Sequence, residues 1–182
     1  MTNSAPRTAL ILGGARSGKS RFAEDIVIRT GLPAAYVATA EIRDDEMAAR
    51  IARHRDRRDA GWTTVEEPLE LSDRLSRLAD PGRVILVDCL TLWLSNLMEA
   101  GRDVAAEGVR LADGLRTARG PIVLVSNEVG SGIVPMNALA RRFADEQGRL
   151  NQTVAAAVET VFLVAASLPL RLKPNPDTEF VL

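Results

Sequence analysis

The stretch Leu10 to Phe22, LILGGARSGKSRF, holds Gly13, Gly18, Lys19 and Ser20 at the spacing G-x-x-x-x-G-K-[ST]. It follows an aliphatic run that reads as a strand and precedes a segment that reads as a helix, the context this spacing requires. In such a loop, here Gly13, Gly14, Ala15, Arg16, Ser17 and Gly18, backbone N–H groups converge on phosphate oxygens. Lys19 reaches the β and γ phosphates, Ser20 offers a hydroxyl ligand to Mg²⁺, and the helix N-terminus adds a favourable dipole. An ordinary glycine-rich turn is the plain alternative, and the full spacing in this context weighs against it.

A second strand-like run, VILVD, ends on Asp88. That position puts a carboxylate where a nucleotide-bound Mg²⁺ needs a partner from a second strand, although an aspartate there also suits the cap of the following helix. Together the two motifs read as a site for a nucleoside triphosphate and magnesium. No N-K-x-D guanine signature stands in the chain and its length is short for a motor, so transfer to a small molecule is the favoured outcome.

His54, the single histidine, lies in DDEMAARIARHRDRRDAGW, where Met47, Ile51 and His54 share one helical face. Arg50, Arg53, Arg55, Arg57 and Arg58 surround it. They suit phosphate binding and disfavour the imidazolium, which keeps the imidazole neutral and nucleophilic. A packed core histidine beside a solvated arginine face is the alternative reading of the same residues.

These groups need a scaffold. Nearly continuous apolar runs begin at Thr8, Ala34, Val84, Pro121 and Val161, as expected of strands buried on both faces. Helical spacing lies between them, in Ala23, Ile26, Val27 and Thr30 and in Phe143, Leu150, Val154 and Val158. The alternation predicts a mainly parallel α/β sheet, whose ligands gather at the carboxyl ends of the strands. Asn127 and Glu128 in SNEVGSGIVP fall on that side, with Gly130 and Gly132 permitting a tight turn; a structural turn reads equally well. Arg141, Arg142 and Arg149 are similarly open. KPNPDTEFVL is the expected frayed end.

The 182 residues, 46% hydrophobic, suit a single domain over 1–182. A net charge of −1 offers no general attraction to nucleic acid or to an anionic membrane. Cys89 has no intrachain partner and reads as a small core residue suited to a reducing cytoplasm. No window approaches the roughly 20 apolar residues of a membrane span, so a soluble protein is expected.

GGARSGKSRFAE, YVATAEIRDDEMAARIARHRDRR and NEVGSGIVPMNALARRFADEQGRLNQ together resemble the bifunctional adenosylcobinamide kinase and adenosylcobinamide-phosphate guanylyltransferase family of cobalamin biosynthesis. The resemblance covers nearly the whole chain. It implies a P-loop NTPase α/β fold, a RecA-like, mostly parallel sheet flanked by helices. It also implies phosphorylation of adenosylcobinamide with ATP or GTP, then transfer of GMP from GTP to adenosylcobinamide-phosphate through a histidine-bound GMP, for which His54 is the matching position. Ala38, Thr39 and Ala40 match a segment lining the nucleotide site, with Thr39 as the polar contact. Arg55, Asp56, Arg57 and Arg58 match a nucleotide-contacting stretch, and Glu66 and Asp88 match acidic positions of the GTP site. The resemblance further implies a homo-oligomer, a trimer. The rival readings are a monofunctional small-molecule kinase with a structural His54, and a nucleotide-binding switch without transferase chemistry.

Overall fold

The computed structural model describes residues 7–40 and 61–174. Strands β1 (Thr8–Gly13), β2 (Ala34–Ala38), β3 (Trp62–Glu66), β4 (Val84–Asp88), β5 (Ile122–Asn127), β6 (Thr160–Ala165) and β7 (Leu168–Lys173) form one sheet, in the order β3-β2-β4-β5-β1-β6-β7. All neighbours run parallel except the β6–β7 hairpin at one edge. The described helices are α1 (Lys19–Arg29), α2 (Leu71–Leu78), α3 (Leu90–Glu99), α4 (Val104–Arg116) and α5 (Ala138–Ala157).

Strand alternation divides the core in two. Leu10 and Leu12 of β1, Ile85 and Val87 of β4, and Ile122 and Leu124 of β5 pack with Leu71, Trp93, Leu111 and Leu150 from α2 to α5. Ile11, Leu86, Val123 and Val125 point to the other face, where Ala23 and Val27 of α1 cover them. Both faces being covered explains why the inner strands read as unbroken apolar runs.

The five strands expected from those runs are present, and the two edge strands are additional. β3, with sequence WTTVE, is half-exposed and polar, and β7 carries Pro169, tolerated at an edge because no further strand needs its missing N–H. β7 is also anchored at its end, where Lys173 Nζ donates to Ala155 O at 2.9 Å and Val158 O at 2.6 Å. A cation there meets the negative end of α5.

Candidate active site

The loop between β1 and α1 is shaped by close backbone approach. A Cβ on Gly13 would lie 2.6 Å from Val164 O and 2.5 Å from Ser17 Oγ, so no side chain fits there. Gly18 has φ +93° and sits against the β6–β7 turn, where a Cβ would meet Ser167 Oγ at 2.6 Å. Ser167 N donates to Ser17 O at 2.7 Å, so the hairpin turn, with Ala166 and Ser167 both at positive φ, braces the loop. Phe22 of α1 and Phe162 of β6 meet edge to face at 5.1 Å and tie the same two elements.

The helix that follows is left open at its positive end. Gly18 supplies no capping side chain, no acidic residue stands in the first turn, and the N–H groups of Ala15, Arg16, Gly18 and Ser20 have no protein partner among the described residues. Lys19 Nζ donates back across the loop to Gly14 O at 3.0 Å. Converging donors, a helix dipole and an ammonium form an anion site suited to a polyphosphate.

Asp88 ends β4 on the α1 face, two strands from β1. The Tyr36 hydroxyl donates to Asp88 Oδ2 at 3.4 Å. The helix that follows, α3, begins at Leu90 with Cys89 as its N-cap residue. Burial pushes the Cys89 thiol up to about 11; the Asp88 carboxylate adds to that shift and the Lys19 ammonium opposes it, so both charges act at this one point. Cys89 is buried, as expected of a small core residue.

Thr39, at the end of β2, is held within the fold. It is fully buried (0% exposed), and its hydroxyl donates to Cys89 O at 2.7 Å and accepts from Cys89 N at 3.0 Å. Thr39 O accepts from Asn96 Nδ2 at 2.8 Å. The hydroxyl, engaged as donor and as acceptor, ties the ends of β2 and β4 together beside Asp88. Ala38 is buried at the same strand end, and Ala40 follows it half-buried.

Glu66 is exposed at the end of β3, paired in register with Ala38, which pairs in turn with Asp88. Its neighbour Glu67 is the structural carboxylate, accepting from Glu70 N at 2.8 Å and from Arg74 Nε at 3.1 Å. Arg141 donates to Pro135 O and Met136 O, holding the loop before α5, and Arg149 pairs with Glu146 at 2.9 Å. His54, Arg55, Asp56, Arg57 and Arg58 lie outside the described residues.

Sequence reasoning missed the residues that fix β5. Asn127 N donates to Thr91 Oγ1 at 2.9 Å, and Asn127 O accepts from Asn151 Nδ2 at 3.0 Å. Ser126, Gln147 and Asn151 form a buried hydrogen-bonded cluster behind it. The apolar helical spacing of α5 gave no signal that polar Gln147 and Asn151 lie on its buried face.

Comparison with known proteins agrees with this geometry. Residues 9–172 match the family described as cobinamide kinase / cobinamide phosphate guanyltransferase. The chain is 50% identical over 169 residues to the bifunctional adenosylcobalamin biosynthesis protein CobP of Pseudomonas aeruginosa, covering 92% of this chain and 98% of that one. It is 40% identical over 179 residues to the corresponding CobU of Escherichia coli K12, covering 90% and 98%. Among solved structures it is similar in fold to the RadB recombinase, with TM-score 0.53 and 17% identity over 87% of this chain and 74% of that one. A Pyrococcus horikoshii protein gives TM-score 0.50 and 13% identity over 91% and 85%. These two likenesses speak to the P-loop α/β fold alone. By these matches the chain belongs to the cobinamide kinase / cobinamide phosphate guanyltransferase family, bifunctional enzymes of adenosylcobalamin biosynthesis.

Proposed function

We propose that the chain is a single transferase domain that carries out two successive reactions on a corrinoid. In the first, a hydroxyl oxygen of adenosylcobinamide attacks the γ-phosphorus of ATP or GTP, the bond to the nucleoside diphosphate breaks, and the hydroxyl proton is released. In the second, a His54 ring nitrogen attacks the α-phosphorus of GTP and pyrophosphate leaves. A phosphate oxygen of adenosylcobinamide-phosphate then displaces the histidine, giving adenosylcobinamide-GDP.

The observation that carries the first reaction is the uncapped N-terminus of α1 behind a loop whose Gly13 and Gly18 leave no room for a side chain. Lys19 and the N–H groups of Ala15, Arg16, Gly18 and Ser20 grip the phosphates, in a loop that Gly13, Gly14 and Ser17 shape. Ser20 and Asp88 offer the hard oxygen donors that Mg²⁺ takes. A magnesium ion held there would neutralise phosphate charge. Ala38 and Ala40 wall the nucleotide site, Glu66 meets the base or ribose, and Arg55, Asp56, Arg57 and Arg58 serve the second reaction beside His54. No described helix is long and apolar enough to cross a membrane. We place the enzyme in the cytoplasm as a homotrimer without a nucleic-acid partner.

Incubation with GTP labelled at the α-phosphorus tests the covalent step. Wild type should retain acid-labile label, and His54→Ala should retain none while still phosphorylating adenosylcobinamide with ATP. A folded His54→Ala protein that forms adenosylcobinamide-GDP at the normal rate contradicts the histidine mechanism.

A further inference from the structure

We propose that the loop between β5 and α5 is the surface on which the corrinoid acceptor docks, a role that rests on the proposed function above. The large apolar side chains of this segment face solvent: Ile133 is 98% exposed and Met136 97%, and Val134 and Leu139 are exposed with them. The backbone beneath them is held at both ends. Gly130 N donates to Glu128 Oε1 at 2.8 Å where the loop begins, and the Asn137 side chain accepts from Leu139 N at 2.7 Å where α5 starts. Arg141 adds its bonds to Pro135 O and Met136 O. A pinned loop that presents a run of apolar side chains to water marks a recognition surface, whereas a singly exposed residue such as Ile28 marks nothing.

Position and chemistry identify the occupant. β5 lies next to β1, and Glu128 N donates to Gly13 O at 3.1 Å, so the loop leaves the sheet beside the first glycine of the phosphate loop. Ile133 follows five residues after Glu128 and is within about 18 Å of that contact by any path of the chain. An acceptor whose hydroxyl reaches the terminal phosphate of the nucleotide extends over the protein beyond it, on the carboxyl side of the sheet. A corrin macrocycle is rimmed with methyl groups, which aliphatic and thioether side chains cover without needing hydrogen bonds. Arg142 stands one turn beyond Leu139 on the same helical face, exposed and without an ion pair among the described residues. An apolar surface edged by one cation suits an acceptor whose hydroxyl becomes a phosphate between the two reactions.

The test is equilibrium dialysis of the whole protein against adenosylcobinamide, with the β,γ-imido analogue of GTP titrated separately and molecular mass measured by sedimentation. Ile133→Ser combined with Met136→Ser should weaken adenosylcobinamide at least about tenfold, while nucleotide affinity and mass stay as in wild type. Should that double variant fail to fold, Met136→Ser alone carries the comparison. Arg142→Gln should weaken adenosylcobinamide-phosphate and spare adenosylcobinamide, and equal effects on the two corrinoids overturn the arginine's part. Unchanged corrinoid affinity in a folded serine variant overturns the docking surface, as does equal weakening of corrinoid and nucleotide. A fall in mass makes the loop a contact between copies of the chain and overturns it too. If wild type binds the nucleotide but no adenosylcobinamide, the proposed function falls and the docking surface with it.

Discussion

The N-termini of α1 and α4 are completed in opposite ways. At α4, Asp103 accepts from Ala106 N at 3.0 Å, and Glu107 in the first turn pairs with Arg102 at 2.5 Å and with Arg110 at 3.4 Å. Arg102 also holds Glu70 below the usual carboxylate range, on an exposed surface where such pairs add little stability. Every charge the α4 helix start invites is supplied from within the chain. α1 has neither cap nor acid, and a left-handed glycine takes the capping position. The α4 terminus is finished as structure, whereas that of α1 has no side-chain cap and no first-turn acid, as the proposed phosphate site requires. The two helix starts differ in whether the protein satisfies their donors from within.

Three substitutions probe this contrast, in decreasing order of effect. Asp88→Asn removes the charge a magnesium ion needs, so the magnesium-dependent kinase rate should fall on the order of 100-fold, with little change in metal-free nucleotide binding measured by titration. Equal losses with and without magnesium would make Asp88 structural. Gly18→Ala puts a Cβ at φ +93° against Ser167, a conformation costing about 1–2 kcal/mol, and it displaces the bracing hairpin. Nucleotide affinity should drop about tenfold, and an unchanged dissociation constant would show that the hairpin does not set the loop's shape. Asp103→Ala should lower unfolding free energy by about 1 kcal/mol in denaturant titration and leave nucleotide affinity untouched. A loss of affinity there would erase the distinction between the two helix starts.

The phosphate loop was legible because its chemistry lies within eight consecutive residues, and the inner strands because burial on both faces makes them apolar throughout. What stayed hidden depends on partners distant in sequence. Nothing near Thr39 says that Cys89, fifty residues on, engages its hydroxyl as donor and as acceptor. Gly13 and Gly18 announce a phosphate loop, but nothing local says that Val164 and Ser167 from the last hairpin press against them. Glu66 and Glu67 are adjacent and chemically alike, and only the fold makes Glu67 the buried one that holds Arg74. The edge strands were missed because half-exposed strands lack the continuous apolar signal, and β7 contains a proline.

The most direct test of the central claim, that the open end of α1 holds the triphosphate whose phosphoryl group goes to the corrinoid, is a product assay with adenosylcobinamide, GTP and magnesium on wild type and Lys19→Ala. The phosphorylated and the GDP-linked corrinoids are scored separately beside the folded fraction. Wild type should form the phosphate first and the GDP derivative after it, and folded Lys19→Ala should lose at least about 100-fold in phosphate formation, because the ammonium spanning the loop is gone. A folded Lys19→Ala protein that makes adenosylcobinamide-phosphate at the wild-type rate would contradict the account.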